Sequence, residues 1–184
     1  MPNYQRVYIP GGTYFFTVVT YDRLAFLTHK DVRKILRASW QSVRKKYPFF
    51  LIALCLLPDH LHCIWRLPDH DADYSTRWKK IKEGLSKNID RSIISKIDSG
   101  KLRASKREAP VWQRRFWEHT IRDQQDFDKH FDYIHFNPVK HGYVKKTIEW
   151  PWSTFHRYIS SGIYDPDWGE RSSNHELMCD TIGE

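Results

Sequence analysis

Two histidines separated by one leucine are the residues of this chain whose spacing most directly suggests chemistry. His60, Leu61 and His62 follow a turn at Pro58-Asp59 and lie between apolar segments. In a β-strand, alternate side chains point to one face, so both imidazoles would point the same way, with their backbones about 7 Å apart. Such a pair can bind one divalent metal ion. The spacing alone leaves a second interpretation open, in which both histidines are polar residues at the entrance of a strand.

Another group of polar residues borders the apolar side of a predicted helix later in the chain. Asp123 is a suitable N-cap, and the residue before Pro138 is expected to end the helix. Tyr133 and Asn137 lie about 40° apart on a helical wheel, and His130 lies slightly further round. All three therefore lie where a buried face meets a cleft. An amphipathic edge tyrosine and a C-terminal cap are the alternative interpretations of Tyr133 and Asn137.

Four predicted strands and two helices between them must position these groups. β-branched and aromatic residues indicate the strands, and a period of 3.6 residues in the apolar positions indicates the helices. The predicted elements are, in chain order, strand 13–21, helix 28–46, strands 49–57 and 60–66, helix 75–97 and strand 111–121. This β-α-β-β-α-β order predicts an α+β fold of the ferredoxin-like (RRM-like) type, a sandwich with an antiparallel sheet. The helix that carries Tyr133 is an addition on its C-terminal side.

Positive charge is concentrated in one part of the chain. The whole chain of 184 residues has a net charge of +8, and residues 77–108 alone contain eleven Lys or Arg and four acids. The last twenty residues contain six acids and one Arg. A concentrated basic segment suggests a polyanionic partner, nucleic acid before an acidic membrane, although a solvated helix face explains it equally well. We expect one domain at 1–160, with a basic linker at about 98–110, and an acidic tail at 161–184.

Composition and cysteine usage exclude several classes of protein. A chain that is 40% hydrophobic and 15% aromatic is not intrinsically disordered. Cys55, Cys63 and Cys179 are odd in number and widely spaced, so they form neither a disulfide framework nor a Cys-x-x-Cys metal site. No apolar run approaches the roughly 20 residues of a membrane helix, and the N-terminus does not resemble a signal peptide. The expected location is the cytoplasm, in association with the nucleoid.

Several segments together resemble the single-tyrosine HUH transposases and, within them, the REP-associated tyrosine transposases of bacteria. HUH denotes two histidines around one hydrophobic residue, here His60-Leu61-His62. The resemblance spans about residues 4–160. Its other segments are the opening strand at 8–17, the fourth strand at 112–119, the tyrosine helix at 133–142, and Trp150-Pro151-Trp152-Ser153.

The resemblance implies an enzyme that cuts and rejoins single-stranded DNA at hairpins formed by repetitive extragenic palindromes (REP). It assigns Tyr133 as the nucleophile, which would form a 5′-phosphotyrosine intermediate. It assigns His60, His62 and Asn137 as ligands of Mg²⁺ or Mn²⁺, and Asn137 stands where related transposases often have Gln. Because a tyrosine hydroxyl must lose its proton to attack, His130 is a candidate to assist Tyr133.

Lysine and arginine side chains are expected to hold the DNA backbone or to contact its bases. The predicted DNA-binding residues are Arg77, Lys79, Lys80, Lys82, Lys87, Arg103, Lys106, Arg107, Arg114 and Arg115. Neither a membrane nor a small-molecule cofactor is an expected partner. A non-catalytic nucleic-acid-binding module derived from a transposase is the alternative function. A hydrolase with a His-x-His metal site on a TIM barrel is less compatible, because that barrel usually needs about 250 residues.

Overall fold

The computed structural model describes residues 6–97 and 110–170. Most of the predicted basic linker and residues 171–184 of the predicted tail therefore lie outside the described residues. The elements are β1 (Thr13–Val19), α1 (Lys30–Lys46), β2 (Phe50–Leu56), β3 (His60–Arg66), α2 (Tyr74–Asn88), α3 (Arg91–Ile97), β4 (Trp117–Thr120), α4 (Gln124–Lys140) and α5 (Phe155–Ser160). Within the described ranges, no helix is both long enough and apolar enough to span a membrane.

The four strands form one antiparallel sheet in the order β2-β3-β1-β4. β3 pairs with β1 on one side and with β2 on the other, which places His62 opposite Thr17. All residues of β3 except the last are buried. The predicted ferredoxin-like α+β fold is confirmed, and the two histidines lie in a central strand whose backbone is hydrogen-bonded on both sides.

Side chains of the sheet alternate between two apolar cores, as the pleat of a strand requires. Phe16 of β1 and Leu61 of β3 belong to the core formed with α1 and α2. Phe15 and Ile64 belong to the core formed with α4. Both histidines of β3 share the face of Ile64, so they point towards the tyrosine-bearing helix.

The fourth strand is shorter than the predicted 111–121. Regular pairing with β1 is limited to β4, and further upstream Trp112 forms an isolated bridge with Thr20. Between these two parts, the Nζ of Lys82 on α2 donates hydrogen bonds to the carbonyl oxygens of Gln113 and Arg114, at 2.5 and 3.5 Å. Because these carbonyls face α2, they do not pair with β1 and the strand is interrupted.

The second predicted helix is divided into α2 and α3. α2 begins one residue before the predicted start, and its N-cap is Asp73, whose carboxylate accepts from the backbone N–H of Thr76. Ile89 has an extended backbone, and Asp90 accepts from the N–H of Ser92. The carboxylate of Asp90 therefore caps a new helical turn, which the unbroken apolar spacing did not indicate.

The tyrosine-bearing helix begins as predicted and ends later. Asp123 caps it by accepting from the N–H of Asp126 at 2.8 Å. The helix was expected to end at Asn137, before Pro138, but α4 continues to Lys140. Pro138 has no N–H to donate to the preceding turn. The last turn is nevertheless hydrogen-bonded to the residues that follow it: the N–H of His141 donates to Asn137 O, and the N–H of Tyr143 donates to Pro138 O.

The chain after α4 folds back over the α4 core and over the edge of β2. The backbone of Trp152 and Thr154 pairs with Leu56 and Leu54, which covers an otherwise open strand edge. Tyr164 packs into the core beside Phe155, although residue 164 lies in the predicted tail. The packed part of the chain therefore extends beyond the boundary at 160.

Candidate active site

His60 and His62 form the base of a buried polar site at the start of β3. Their side chains are 2% and 0% exposed, and their ring centroids are 4.8 Å apart. The Nε2 atom of each ring is buried without a hydrogen-bond partner among the described residues. Burying a polar atom without a partner is unfavourable. Two such atoms on neighbouring rings indicate that something else binds there.

The second nitrogen of each ring has a partner. His60 Nδ1 lies 2.6 Å from Asp59 Oδ1, and His62 Nδ1 lies 2.9 Å from the hydroxyl of Thr17. Because a carboxylate only accepts, His60 donates from Nδ1, and Nε2 is the ring nitrogen that is left for another partner. Burial, followed by the positive charge of its neighbours, first of all His60, holds the pKa of His62 well below its usual value. His62 is therefore neutral at pH 7, which is the form that binds a metal.

One face of α4 lies opposite these histidines. The ring centroid of Tyr133 is 5.2 Å from that of His62, and the centroid of His141 is 5.2 Å from that of His60. Asn137 lies one helical turn from Tyr133 and one from His141, so along the helix it lies between the two residues that contact the histidines. Its side chain is fully buried, and neither its amide oxygen nor its amide nitrogen has a hydrogen-bond partner among the described residues.

The donor set of this site fits a divalent metal ion. Two imidazole nitrogens and one amide oxygen are neutral ligands, which leave the charge of the ion intact. Their unpartnered, buried atoms are what a ligand site requires when no ion is bound. Tyr133 is 1% exposed and its ring adjoins that of His62, so the predicted nucleophile and one predicted metal ligand are in contact.

A second group of possible ligands lies at the N-terminal end of α4. Single donor atoms of His119, Asp126 and His130 lie within 4.8 Å of one another. However, the carboxylate of Asp126 already accepts from His119 Nε2 at 2.8 Å and from Arg122 Nε at 3.1 Å. Burial alone would raise the pKa of Asp126, but the hydrogen bonds from His119 and Arg122 lower it to about 2. The rings of His119 and His130 are stacked, with centroids 4.5 Å apart and planes inclined by 14°. Because the nitrogen lone pairs lie in these two planes, they do not converge on one ion.

His130, which was predicted to assist the deprotonation of Tyr133, belongs to this cluster. Its Nδ1 lies 2.7 Å from the backbone oxygen of Asp126, and its ring packs against Phe15. Burial, as the largest influence, lowers the pKa of His130. These contacts give His130 a role in fixing the start of α4 against the sheet, and its action as an assistant stays a prediction.

Three residues at the site were not identified from the sequence. Asp59 contacts His60, the Lys140 Nζ lies 4.8 Å from the ring centroid of Tyr133, and the ring of His141 lies edge-to-face with that of His60. A helical wheel extended past Pro138 would have placed Lys140 and His141 two turns after Tyr133. They were missed because the helix was predicted to end at Asn137.

Several predicted DNA-binding residues line one groove of about 630 Å³ between α2 and residues 110–116. They are Lys79, Lys82, Lys87 and Arg114, and the groove also contains Arg6 and Arg91, which were not predicted. The backbone N–H of Gln113 donates to the oxygen of Val19, and Val19 pairs with His60 across the sheet. The groove and the two histidines therefore lie at the same end of the sheet.

The remaining predicted DNA-binding residues lie elsewhere. Lys80 lines a different groove, beside α1, with its Nζ 5.4 Å from the ring centroid of Tyr47. Arg115 is exposed in the irregular segment before β4. Burial, followed by the charge of Arg6, lowers the pKa of Lys82 to about 8, and this lysine also connects α2 to residues 113–114. Three predicted DNA-binding residues lie outside the described ranges: Arg103, Lys106 and Arg107.

Arg77 is not available to DNA, and its inclusion in the predicted set is corrected. Its side chain is 1% exposed. The guanidinium forms a two-point ion pair with Asp71, at 2.6 and 3.0 Å, and donates to the backbone oxygens of Tyr47, Pro48 and Asp73. A guanidinium with all of its nitrogens engaged in this way holds α2 to the neighbouring loops. The helical wheel could not distinguish this arginine from the exposed lysines next to it.

Comparison with known proteins gives consistent matches over most of the chain. Residues 10–137 match the family model described as "Transposase IS200 like". A REP-associated tyrosine transposase of Escherichia coli (strain K12) is 42% identical over 168 residues, 91% of this chain and 91% of that protein. A Haemophilus influenzae protein assigned to the same group is 42% identical over 170 residues, 92% of this chain and 94% of that protein.

One solved structure is similar over nearly the whole fold. It is described as a REP-associated tyrosine transposase bound to a REP hairpin. The sequence identity is 40%, the TM-score is 0.77, and the match covers 95% of this chain and 94% of that chain.

Proposed function

This chain belongs to the IS200-like transposases and, within them, to the REP-associated tyrosine transposases, and from this premise we propose that it is a metal-dependent enzyme that cuts and rejoins single-stranded DNA at REP-type hairpins. The observation that carries the proposal is the contact of Tyr133 with His62, together with Nε2 atoms of both histidines and an Asn137 amide that are buried without a hydrogen-bond partner among the described residues. The relative that was solved with a REP hairpin supports the choice of substrate.

Tyr133 is the proposed nucleophile. Its phenolic oxygen forms a bond to the phosphorus of a DNA phosphodiester, and the bond from that phosphorus to the 3′ oxygen breaks. The tyrosine proton is released, and the departing 3′ oxygen takes up a proton to become a 3′-hydroxyl. The products are a 5′-phosphotyrosine and a free 3′-OH. Because one phosphoester replaces another, a different 3′-OH can attack the phosphotyrosine and rejoin DNA without ATP.

The surroundings of Tyr133 favour its reactive form. A free phenol has a pKa of about 10 and is mostly protonated at neutral pH. The Lys140 ammonium lies 4.8 Å from the Tyr133 ring centroid, where its positive charge would stabilise negative charge that develops during the attack. The ring is also almost completely buried between α4 and the sheet, which fixes its direction of attack.

His60, His62 and Asn137 are the proposed ligands of Mg²⁺ or Mn²⁺. When bound, the ion polarises a non-bridging oxygen of the phosphate and stabilises charge on the 3′ oxygen as it leaves. The three side chains are neutral, and each comes from β3 or α4, the two elements whose contact forms the site. Rigid elements of this kind hold ligands more accurately than loops do.

The basic groove is the proposed path of the DNA backbone. Lys79, Lys87 and Arg114 are exposed on its walls. Their positive charges would contact phosphates irrespective of sequence. Gln113 of the groove bonds to Val19, the neighbour of His60 in the sheet, so we infer that a strand lying in the groove passes around this end of the sheet towards Tyr133.

A covalent-adduct assay tests the proposed function. The protein is incubated with a labelled, single-stranded REP hairpin and Mn²⁺, then separated under denaturing conditions. We expect the wild type to form an adduct and Tyr133→Phe to form none, because phenylalanine has no oxygen to attack phosphorus, while DNA binding stays within about 2-fold. Tyr143→Phe is the matched control, since this exposed tyrosine lies near the site, with its ring 5.9 Å from that of His141.

Each other result of the assay has a definite meaning. An adduct that persists in Tyr133→Phe and disappears in Tyr143→Phe assigns the nucleophile to Tyr143. Salt-sensitive binding by the wild type, with no adduct in Mg²⁺ or Mn²⁺, supports the non-catalytic binding module instead.

A further inference from the structure

Asp59, the residue before His60, is fixed by partners on every side. Its Oδ1 accepts from His60 Nδ1 at 2.6 Å, and its Oδ2 accepts from Arg23 Nη1 at 3.1 Å. Its backbone oxygen accepts from both the N–H and the hydroxyl of Thr20, each at 2.8 Å. The side chain is only 13% exposed. Neither the position nor the direction of this carboxylate is free to vary.

Arg23 contacts Asp59 from an unfavourable backbone conformation. Asp22 and Arg23 both have φ of +51°, in the left-handed region that residues with a Cβ atom rarely adopt. Such strained residues persist where the surrounding structure requires them and often lie at functional sites. Here the strained turn is what brings the guanidinium to the outer oxygen of Asp59.

The two histidines consequently have unequal support. His60 donates to a carboxylate, whereas the partner of His62 Nδ1 is the neutral hydroxyl of Thr17. A carboxylate that accepts from one imidazole nitrogen fixes the tautomer and the ring orientation and makes the opposite nitrogen a stronger donor.

We propose that Asp59 is a positioning residue of the metal site, which acts through His60 and is itself held in place by Arg23. This inference rests on the proposed function, because it requires His60 to be a metal ligand. It assigns the stronger metal bond to His60 rather than to His62. Asp59→Asn keeps the size and one acceptor oxygen but loses the charge, Asp59→Ala removes the acceptor, and Arg23→Gln leaves the carboxylate without its cation.

Mn²⁺ binding to the metal-free, full-length protein in the absence of DNA tests the proposal, with free Mn²⁺ measured by electron paramagnetic resonance. We expect the dissociation constant to rise about 10-fold in Asp59→Asn, up to about 100-fold in Asp59→Ala, and less in Arg23→Gln. Asp69→Asn is the control, because Asp69 is an exposed acid beyond the opposite end of β3, and its affinity should be that of the wild type. Urea unfolding in the same buffer identifies any variant that is not folded.

The results separate the inference from the function on which it rests. Wild-type affinity in folded Asp59→Asn and Arg23→Gln would overturn the positioning role while leaving the metal site intact. If instead the wild type binds Mn²⁺ no better than His60→Ala does, the metal site of the proposed function is itself wrong. Because Asp59→Asn is nearly isosteric, it decides the question even if Asp59→Ala fails to fold.

Discussion

Asn137 is the residue whose burial most needs a ligand to explain it. Its side chain is completely inaccessible, and both polar atoms of its amide lack a hydrogen-bond partner among the described residues. A buried polar group left unpaired destabilises a protein by about 1–3 kcal/mol. The proposed metal ion would engage this amide, so the metal-free protein should lose stability that ion binding restores.

Asn137→Leu should therefore separate stability from metal binding. Leucine has a similar shape and no polar atoms, so we expect the free energy of unfolding of the metal-free protein to rise by about 1–3 kcal/mol. Mn²⁺ stabilises the wild type by binding the native state, and this increment should disappear in the variant. Urea unfolding with and without Mn²⁺ measures both quantities.

The control for that variant is Asn88→Leu, which changes a more exposed amide at the end of α2 that already donates to the oxygen of Gly84. It should leave the Mn²⁺ increment unchanged. A metal-free Asn137→Leu protein that is less stable than the wild type and is still stabilised by Mn²⁺ would show that the amide has a partner inside the protein rather than a metal.

At the scale of elements, the position of α4 against β3 decides the geometry of the site, and both ends of α4 are fixed. At its start, Asp126 is paired with His119 of β4. Further along, the buried ring of His135 contacts the hydroxyls of Thr154 and Tyr164. These contacts tie the helix to the sheet and to the segment that covers it, so that Tyr133 and Asn137 are held at a constant depth.

The other face of the sheet depends on a close approach of α1 to α2. A Cβ atom on Gly84 would lie 2.6 Å from Ser39 Oγ and 2.8 Å from Ser39 Cβ. Rotation of the serine removes the first contact and not the second, so the helices must separate. We expect Gly84→Ala to lower the free energy of unfolding by about 1–2 kcal/mol, despite the better helix propensity of alanine.

A double-mutant cycle with Ser39→Gly measures this contact directly by urea unfolding. Removing the Ser39 side chain provides the space that the new methyl group needs. The double variant should therefore be more stable than the sum of the single changes by about 1 kcal/mol or more. Additive effects would mean that the two helices adjust without strain and that Gly84 is not required for their packing.

At the scale of the whole molecule, which has a net charge of +8, the cationic side chains occupy two kinds of environment. Some cations, such as Arg77, are buried in ion pairs that hold the fold. Others are exposed along the groove that adjoins the end of β1. A polyanion attracted by the overall charge would bind where the cations remain exposed.

Two neighbouring lysines on α2 test whether DNA contacts the cations of the basic groove in particular, because the two side chains line different grooves. Lys79 lines the basic groove, and Lys80 lies against Tyr47 beside α1. We expect Lys79→Ala to weaken binding of single-stranded REP hairpin DNA and to reduce the slope of log affinity against log salt by about 1, as the loss of one phosphate contact predicts. Fluorescence anisotropy at several salt concentrations measures both.

Lys80→Ala removes the same charge from the same helix, so it is the matched control and should leave the salt slope unchanged. Equal effects of the two substitutions would mean that DNA responds to the total charge of α2 rather than to contacts within the groove.

Local features were predictable because adjacent residues encode them. The alternation of β3 placed both histidines on one face, and the spacing of Tyr133 and Asn137 placed them on one side of α4. The order of elements predicted the fold, and the segments resembling REP-associated tyrosine transposases predicted the family. The end of α4 was predicted wrongly because a proline disfavours helical geometry in the residue before it without always ending the helix, and α4 continues to Lys140.

The sequence by itself determined which residue types could form a metal and tyrosine site and which fold could carry them. Only the tertiary structure decided that Tyr133 and His141 lie against the two histidines and that Asp59 contacts both His60 and Arg23. It also decided that Lys140 lies against Tyr133 and that Arg77 is buried. The physical reason is that periodicity follows from neighbouring residues, whereas these contacts join elements far apart in the chain. They exist only once the sheet, its two cores and α4 have packed together.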